Sequence, residues 1–183
     1  FFYLSSFKIY GNIQNKIHKD CNIFINPDIL GATKILSEKM LELQEFSYLN
    51  IRLPGVLCYY INEPRRPWLN TVVNKLKKNE MINIYNSERL FNNIIDTKEI
   101  YKFIDYMMKK KYIKSGSLDF SASKPIKIKS IINNLKNNLS SKSKLIFNRK
   151  KTNHYIISSN RAFLKYGFNT ASTAEIIDRY IKI

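Results

Sequence analysis

PDILGATKILSE, Pro27 to Glu38, is the stretch on which the reading of this chain turns, together with LSSFKIYG at Leu4 to Gly11. The second segment reads as an apolar strand that ends in Ser5 and Ser6 and runs into a sharp turn. The first reads as the opening of a helix, in which residues 30 and 34 sit one turn apart on the same face. A Ser at a strand end facing a helix with Tyr and Lys at i and i+4 is a proton-transfer layout. The Lys lowers the Tyr pKa and holds a cofactor ribose, while the Ser hydroxyl fixes the substrate oxygen that gains or loses a proton. Ser6 and Lys34 stand in their places here, and the Tyr position reads Leu30.

At these residues the sequence resembles the extended short-chain dehydrogenase/reductase family, the NAD-dependent sugar-nucleotide epimerases and dehydratases. That family shows a Ser-Ser-x-x-x-Tyr-Gly segment, then Pro-x-x-Tyr-Gly-x-Ser/Thr-Lys with a Glu four residues on. This chain has Ser5, Ser6, Tyr10 and Gly11, then Pro27, Leu30, Gly31, Ala32, Thr33, Lys34 and Glu38. IRLPGVL (Ile51 to Leu57) resembles the next strand of the family. Pro67 to Asn86 and Phe91 to Ile104 resemble segments beyond it, and KYGFNTASTAEIIDRYI (Lys165 to Ile181) resembles its closing turn and helix. The match spans nearly the whole chain in the right order, and several separated motifs agree.

The resemblance implies an α/β fold: a partial Rossmann-type doubly wound parallel sheet with its N-terminal strands missing, plus a small α/β substrate-binding domain. Residues 1–58 and 94–123 would be the remaining half of the NAD-binding domain, and 59–93 with 124–183 the nucleotide-sugar domain. It implies NAD or NADP as cofactor and a nucleotide-sugar substrate. A homodimer through helices such as Pro27–Glu45 is implied as well. By the same resemblance Ser6 polarises the substrate oxygen, Lys34 binds the ribose, and Pro54, Gly55 and Val56 present backbone to the nicotinamide and sugar. Tyr10 packs or contacts substrate, and Arg89 lies against the nucleotide diphosphate. Arg52, Arg65 and Arg66 are alternatives for that last contact, because Arg bonds phosphate in bidentate fashion. Each of the three also reads as a surface ion-pair residue.

The composition agrees with a packed globular protein. A length of 183 residues suits a domain with a sizeable core, and the content is 44% hydrophobic and 13% aromatic. No apolar run approaches the ~18 residues of a membrane span. The opening FFYLSSFKIYG lacks a basic leader and a small-residue cleavage site, which argues against a signal peptide. A buried-type strand beginning at Phe1 is how an internal fragment reads. Cys21 and Cys58 lack disulfide-framework or metal spacing and read as reduced thiols of a cytoplasmic protein. His18 and His154 are isolated, read as surface or packing residues, and suggest no metal site. The net charge of +17 comes with scattered lysines and an abundance of Asn and Ile, the amino-acid shadow of an AT-rich genome. A nucleic-acid binder would gather its basic residues on one face among aromatics. The densest basic run, Lys142 to Lys151, reads as a solvated strand edge and loop.

Along the chain, residues 1–6 are a strand and Asn12 to Asn26 an irregular loop over the site. A helix runs from Pro27 to about Glu45 with Ile35, Leu36, Met40 and Leu43 on or near one face. Leu49 to Leu53 is a strand stopped by Pro54-Gly55, so strand, helix and strand imply a parallel pair with a right-handed crossover. Helices follow at Trp68–Lys78, Asp96–Lys109 and Lys127–Leu139, with short strands at Met81–Tyr85, Ser117–Ser121 and Lys144–Phe147. Asn160–Lys165 makes one or two helical turns that stop at Gly167. Ser172–Lys182 is a final helix opened by a Ser172/Glu175 capping box. Ile94 to Ser121 is expected to return to the cofactor-binding sheet.

A dinucleotide site of this kind needs a Gly-rich turn after its first strand. The five glycines, at 11, 31, 55, 116 and 167, form no such pattern. Leucine at 30 cannot shuttle a proton. The sequence therefore reads as a truncated or degenerate NAD-dependent nucleotide-sugar epimerase/dehydratase, inactive alone. The alternative is a non-catalytic nucleotide-sugar-binding or scaffold protein.

Overall fold

The computed structural model describes residues 1–13, 17–18, 23–58, 68–111, 113–148, 154–158 and 160–181. Cys21, Arg65, Arg66, Arg149, Lys150 and Lys151 lie outside them. The chain opens with β1 (Phe2–Ser6), a 3-10 turn (Phe7–Tyr10), β2 (Ile17–His18), α1 (Ile29–Glu42), β3 (Leu49–Leu53) and β4 (Gly55–Leu57). It continues with α2 (Trp68–Lys77), β5 (Ile82–Ile84), β6 (Leu90–Phe91), β7 (Ile94–Asp96), α3 (Thr97–Met108) and β8 (Gly116–Asp119). It closes with β9 (Ile126–Lys127), α4 (Ile128–Asn138), β10 (Leu145–Phe147), β11 (Ile156–Ile157), α5 (Arg161–Tyr166) and α6 (Thr173–Ile181).

The main sheet is parallel, in the order β1-β3-β8, with Phe2 opposite Leu49 and Leu49 opposite Gly116. All five residues of the central β3 are buried, as a parallel strand covered on both faces requires. Leu49, Ile51 and Leu118 meet Leu69 and Leu76 of α2, Phe103 and Met107 of α3, Leu135 of α4 and Ile176 of α6 in one continuous core. Phe103 and Phe120 stack there with centroids 4.6 Å apart. A smaller cluster of Phe7, Ile9, Tyr10, Ile13 and Ile157 lies under the 3-10 turn.

Pro54 ends β3, but the chain resumes as β4, which pairs in parallel with β7 instead of extending the main sheet. Proline has no N–H to continue a ladder, and Gly55 instead donates its N–H to the Asn93 carbonyl at 3.3 Å. Of Ile94 to Ser121, β8 joins the main sheet while β7 belongs to this second pair. Within the expected irregular loop of Asn12 to Asn26, Ile17–His18 pairs with β11, and Ile25 bridges Gly11. The local signals near the C-terminus hold. Glu175 and Ser172 bond reciprocally as a capping box, and Gly167 takes φ 75° where α5 stops. Among the described residues, five non-glycine positions have positive φ: Asn26, Asn79, Asn86, Lys124 and Ser140.

The apolar side of α1 faces away from the fold. Leu36, Met40 and Leu43 are 62%, 59% and 84% exposed, in line with Ile29. The buried residues are Gly31 and Glu38, on the opposite side. Asp28 caps the helix by accepting the Gly31 N–H at 2.8 Å, which seats the first turn on the 3-10 segment. The backbones approach so closely that a Cβ on Gly31 would stand 2.2 Å from the Lys8 carbonyl oxygen. Gly31→Ala is therefore expected to destabilise the protein by about 1–3 kcal/mol through forced displacement of α1. Urea denaturation beside Thr33→Ala, a change on the exposed side, measures the difference.

Candidate functional site

The carboxyl ends of β1 and β3 open onto a cleft of about 780 Å³. Ser6, Lys8 and Leu30 form one wall, Pro54, Gly55 and Val56 another, and Trp68, Phe91, Asn93 and Tyr155 the far side. Ligands of parallel α/β sheets bind at such strand ends. Ser6 is the N-cap of the 3-10 turn, and its Oγ accepts the Lys8 N–H at 3.2 Å, which leaves the hydroxyl proton able to donate into the cleft. Leu30 is 51% exposed on the wall and offers only methyl groups.

Lys34 does not line this cleft. Its Nζ donates to the Leu4 carbonyl at 2.8 Å and lies 4.6 Å over the Tyr3 ring, alongside β1. Tyr10 is 1% exposed and faces the interior, where its hydroxyl is engaged by Arg52 and Asp119. Arg89 sits exposed on the turn before β6, where its main chain bonds Asn86 and Ile128, and it lines neither cavity described here. The structure thus gathers Ser6, Leu30, Pro54, Gly55 and Val56, and sets Lys34, Tyr10 and Arg89 apart from them.

A second chamber of about 670 Å³ adjoins the cleft. Thr71 and Lys75 of α2, Tyr85, Asn86, Ile128 and His154 line it, and it shares Trp68, Phe91, Asn93 and Tyr155 with the first. Trp68 and Phe91 meet edge to face at 5.2 Å. His154 Nε2 is bonded to the Leu90 carbonyl. Burial pushes the Tyr155 phenol above its ordinary pKa, the Asp119 charge adds to this, and a bond from the Asn93 side chain draws it partly back.

No protein-family model and no curated protein sequence matches the chain. Solved structures do. UDP-N-acetylglucosamine 4-epimerase from Bacillus cereus superposes with a TM-score of 0.76 at 17% identity, over 99% of this chain and 64% of that one. A dTDP-4-dehydrorhamnose reductase from Bacillus anthracis, in complex with NADP, gives 0.76 at 13% identity, over 99% and 64%. UDP-glucose 4-epimerase from Thermotoga maritima, with UDP-glucose, gives 0.73 at 15%, over 99% and 62%. The fold is that of the sugar-nucleotide epimerases and reductases. The chain spans a little under two thirds of the length of these structures.

Measured against the sugar-nucleotide enzyme fold, the residues present do not fit a whole dinucleotide. Pro54 to Val56 offer a wall for a nicotinamide, but these 183 residues hold no Gly-rich turn for a pyrophosphate. The Lys34 ammonium is also committed to the Leu4 carbonyl.

Behind the cleft lies a buried polar cluster that sequence reading did not assemble. Arg52 of β3 donates from Nη2 to Glu38 Oε2 at 2.7 Å and from Nε to both carboxylate oxygens. Ser5 of β1 donates to Glu38 Oε1 at 2.5 Å. Arg52 Nη1 donates to the Tyr10 hydroxyl at 2.8 Å, which in turn donates to Asp119 Oδ1 at 2.6 Å. His18 Nε2 stands 3.1 Å from Asp119 Oδ2. Arg52, 2% exposed, is therefore neither a surface ion-pair residue nor a diphosphate contact. Burial works against its charge, but the bonds to Glu38 and Tyr10 outweigh this and hold it protonated well above the ordinary range. The usable signal was the Glu four residues past Lys34, which resembles the family motif but does not name its partner.

Glu38→Ala removes the buried carboxylate that Arg52 bonds through Nε and Nη2, and is expected to cost about 3–5 kcal/mol. The double variant Glu38→Leu/Arg52→Met is expected to lose less than that single change, because both members of the ion pair leave the interior together. Chemical denaturation of the variants checks the ordering.

Proposed function

We propose that this chain corresponds to the carboxyl-terminal part of an extended short-chain dehydrogenase/reductase of the sugar-nucleotide epimerase/dehydratase type. In this reading it binds a nucleotide sugar across the two chambers and does not carry out hydride transfer by itself. The observation that carries the reading is the cleft of Ser6, Leu30 and Pro54 to Val56. The hydroxyl that would orient a substrate oxygen is in place, and a leucine occupies the position from which a tyrosine would exchange its proton. Residues 1–58 and 94–123 supply the cofactor-facing wall of the cleft, and 59–93 with 124–183 the substrate-facing one. The neighbours support the ligand classes, since one is described with NADP and another with UDP-glucose. The free thiol of Cys58 fits a reducing, cytoplasmic setting. No helix among the described residues is long and apolar enough to cross a membrane.

Calorimetric titration with UDP-glucose, UDP and NAD in turn tests this. Heat with the first two and a flat NAD trace are expected. Tight NAD binding would refute the silence of the chain, as would turnover of a nucleotide sugar that Lys34→Ala abolishes.

A second reading, a non-catalytic binding or scaffold protein, is favoured by the outward apolar stripe of α1. The occupant assigned to it is a second copy of this chain. Lys39 and Glu42 flank the stripe, so two copies of α1 packed antiparallel about a two-fold axis place opposite charges against each other. Light scattering is expected to show a dimer that Leu36→Glu converts to monomer, and a monomeric unmodified chain would rule this assembly out.

A further inference from the structure

His18 of β2 and Asp119 of β8 are both buried, and neither lines a chamber. His18 Nε2 stands 3.1 Å from Asp119 Oδ2, as an ion-pair contact rather than an aligned hydrogen bond. The other carboxylate oxygen, Oδ1, accepts the Tyr10 hydroxyl, which is a neutral donor. The Arg52 guanidinium reaches Tyr10, but it grips the Glu38 carboxylate. Around the His18 ring stand Phe7 and Tyr10 of the 3-10 turn, at 5.3 and 4.1 Å between centroids, and Tyr155 at 6.4 Å. The titratable groups that face it among the described residues are thus Asp119, Tyr10 and Tyr155, with Arg52 and Glu38 behind Tyr10. Lys16, Lys19 and Asp20, its neighbours in sequence, lie outside the described residues.

A carboxylate taken out of water is costly unless a cation meets it. Glu38 matches Arg52, which leaves the Asp119 charge facing an imidazole. One proton taken up by the His18–Asp119 pair, and shared as coupled sites share it, removes that imbalance. Imidazole is the side chain suited to gain and lose a proton near physiological pH. The main chain carries the consequence to the cleft. Ile17 and His18 pair with Ile156 and Ile157, and the His18 carbonyl accepts the Ser158 N–H at 2.8 Å. Tyr155, one residue ahead of that pairing, lines both chambers. We infer that His18 and Asp119 form a proton-dependent clasp. The protonated pair holds the strap of β2 and β11 against the main sheet, and loss of the proton loosens the wall that the two chambers share. The clasp does not depend on which ligand the chambers hold.

A proton that the folded chain holds and the unfolded chain releases makes stability fall as pH rises. The melting temperature of the unmodified chain is therefore expected to fall by roughly 2–6 °C between about pH 6 and about pH 8.5. His18→Gln and Asp119→Asn are each expected to abolish that fall, and His154→Gln, which removes the other histidine, to keep it. A fall in His18→Gln equal to that of the unmodified chain overturns the clasp. Where the first two variants do not fold, hydrogen exchange of the unmodified chain decides. Protection of the Ser158 N–H, corrected for intrinsic exchange, is expected to drop about 5-fold or more over the same range. That drop is expected to track the one imidazole signal that His154→Gln leaves in the proton spectrum. Constant protection at Ser158, or an imidazole that does not titrate over that range, overturns the clasp.

Discussion

The ion pair between Glu38 and Arg52 is the constraint on which the rest of the molecule depends. It ties a helix to the central strand of the main sheet, and its partners extend to both flanking strands through Ser5 and Ser117. Two charges taken out of water carry a desolvation penalty that their attraction offsets only with good geometry and further bonds. Here both conditions are met. The guanidinium grips the carboxylate along its side, and Tyr10 takes another of its donors. Tyr10 belongs to the 3-10 turn, whose other residues Phe7 and Lys8 line the cleft. The shape of the cleft is thus held by an interaction that lies outside its lining.

The arrangement separates support from chemistry. On the interior side the cluster is dense in titratable groups, with Glu38, Arg52, Tyr10, Asp119 and His18 in sequence. On the cleft side, Ser6, Leu30 and Pro54 to Val56 offer hydroxyl, methyl and main chain, with Lys8 and Tyr155 as titratable groups among the lining. General acid–base work requires a titratable group within reach of the reacting atom. Glu38, Arg52, Asp119 and His18 are packed in the interior, whereas Lys8 and Tyr155 line the cleft.

Much of this architecture could be read from the residues. Apolar runs located the three strands of the main sheet, Pro54 marked the end of one, and Ser172 with Glu175 announced the last helix. What escaped did so for physical reasons. Two-residue strands such as Ile17–His18 and Ile156–Ile157 show no periodicity, since their pairing partners lie far along the chain. Periodicity placed Ile35, Leu36, Met40 and Leu43 on or near one face of α1 without fixing which way that face points, and it is Gly31 and Glu38 that face inward, one through close packing and the other through its bonds to Arg52. Glu38 and Arg52 are 14 residues apart, and only the crossover that makes β1 and β3 neighbours brings them together.

The left-handed turns carry a consequence beyond this fold. Glycine is the residue best suited to such backbone, and asparagine is among the few others that accept it readily. Among the described residues, three of the five non-glycine positions in that conformation are Asn26, Asn79 and Asn86, in a chain with only five glycines. Glycine codons begin with two guanines, whereas asparagine codons begin with two adenines. Drift in base composition can therefore pass through the tightest corners of a protein without changing its path, and these corners mark where the genetic code and the Ramachandran map permit the same exchange.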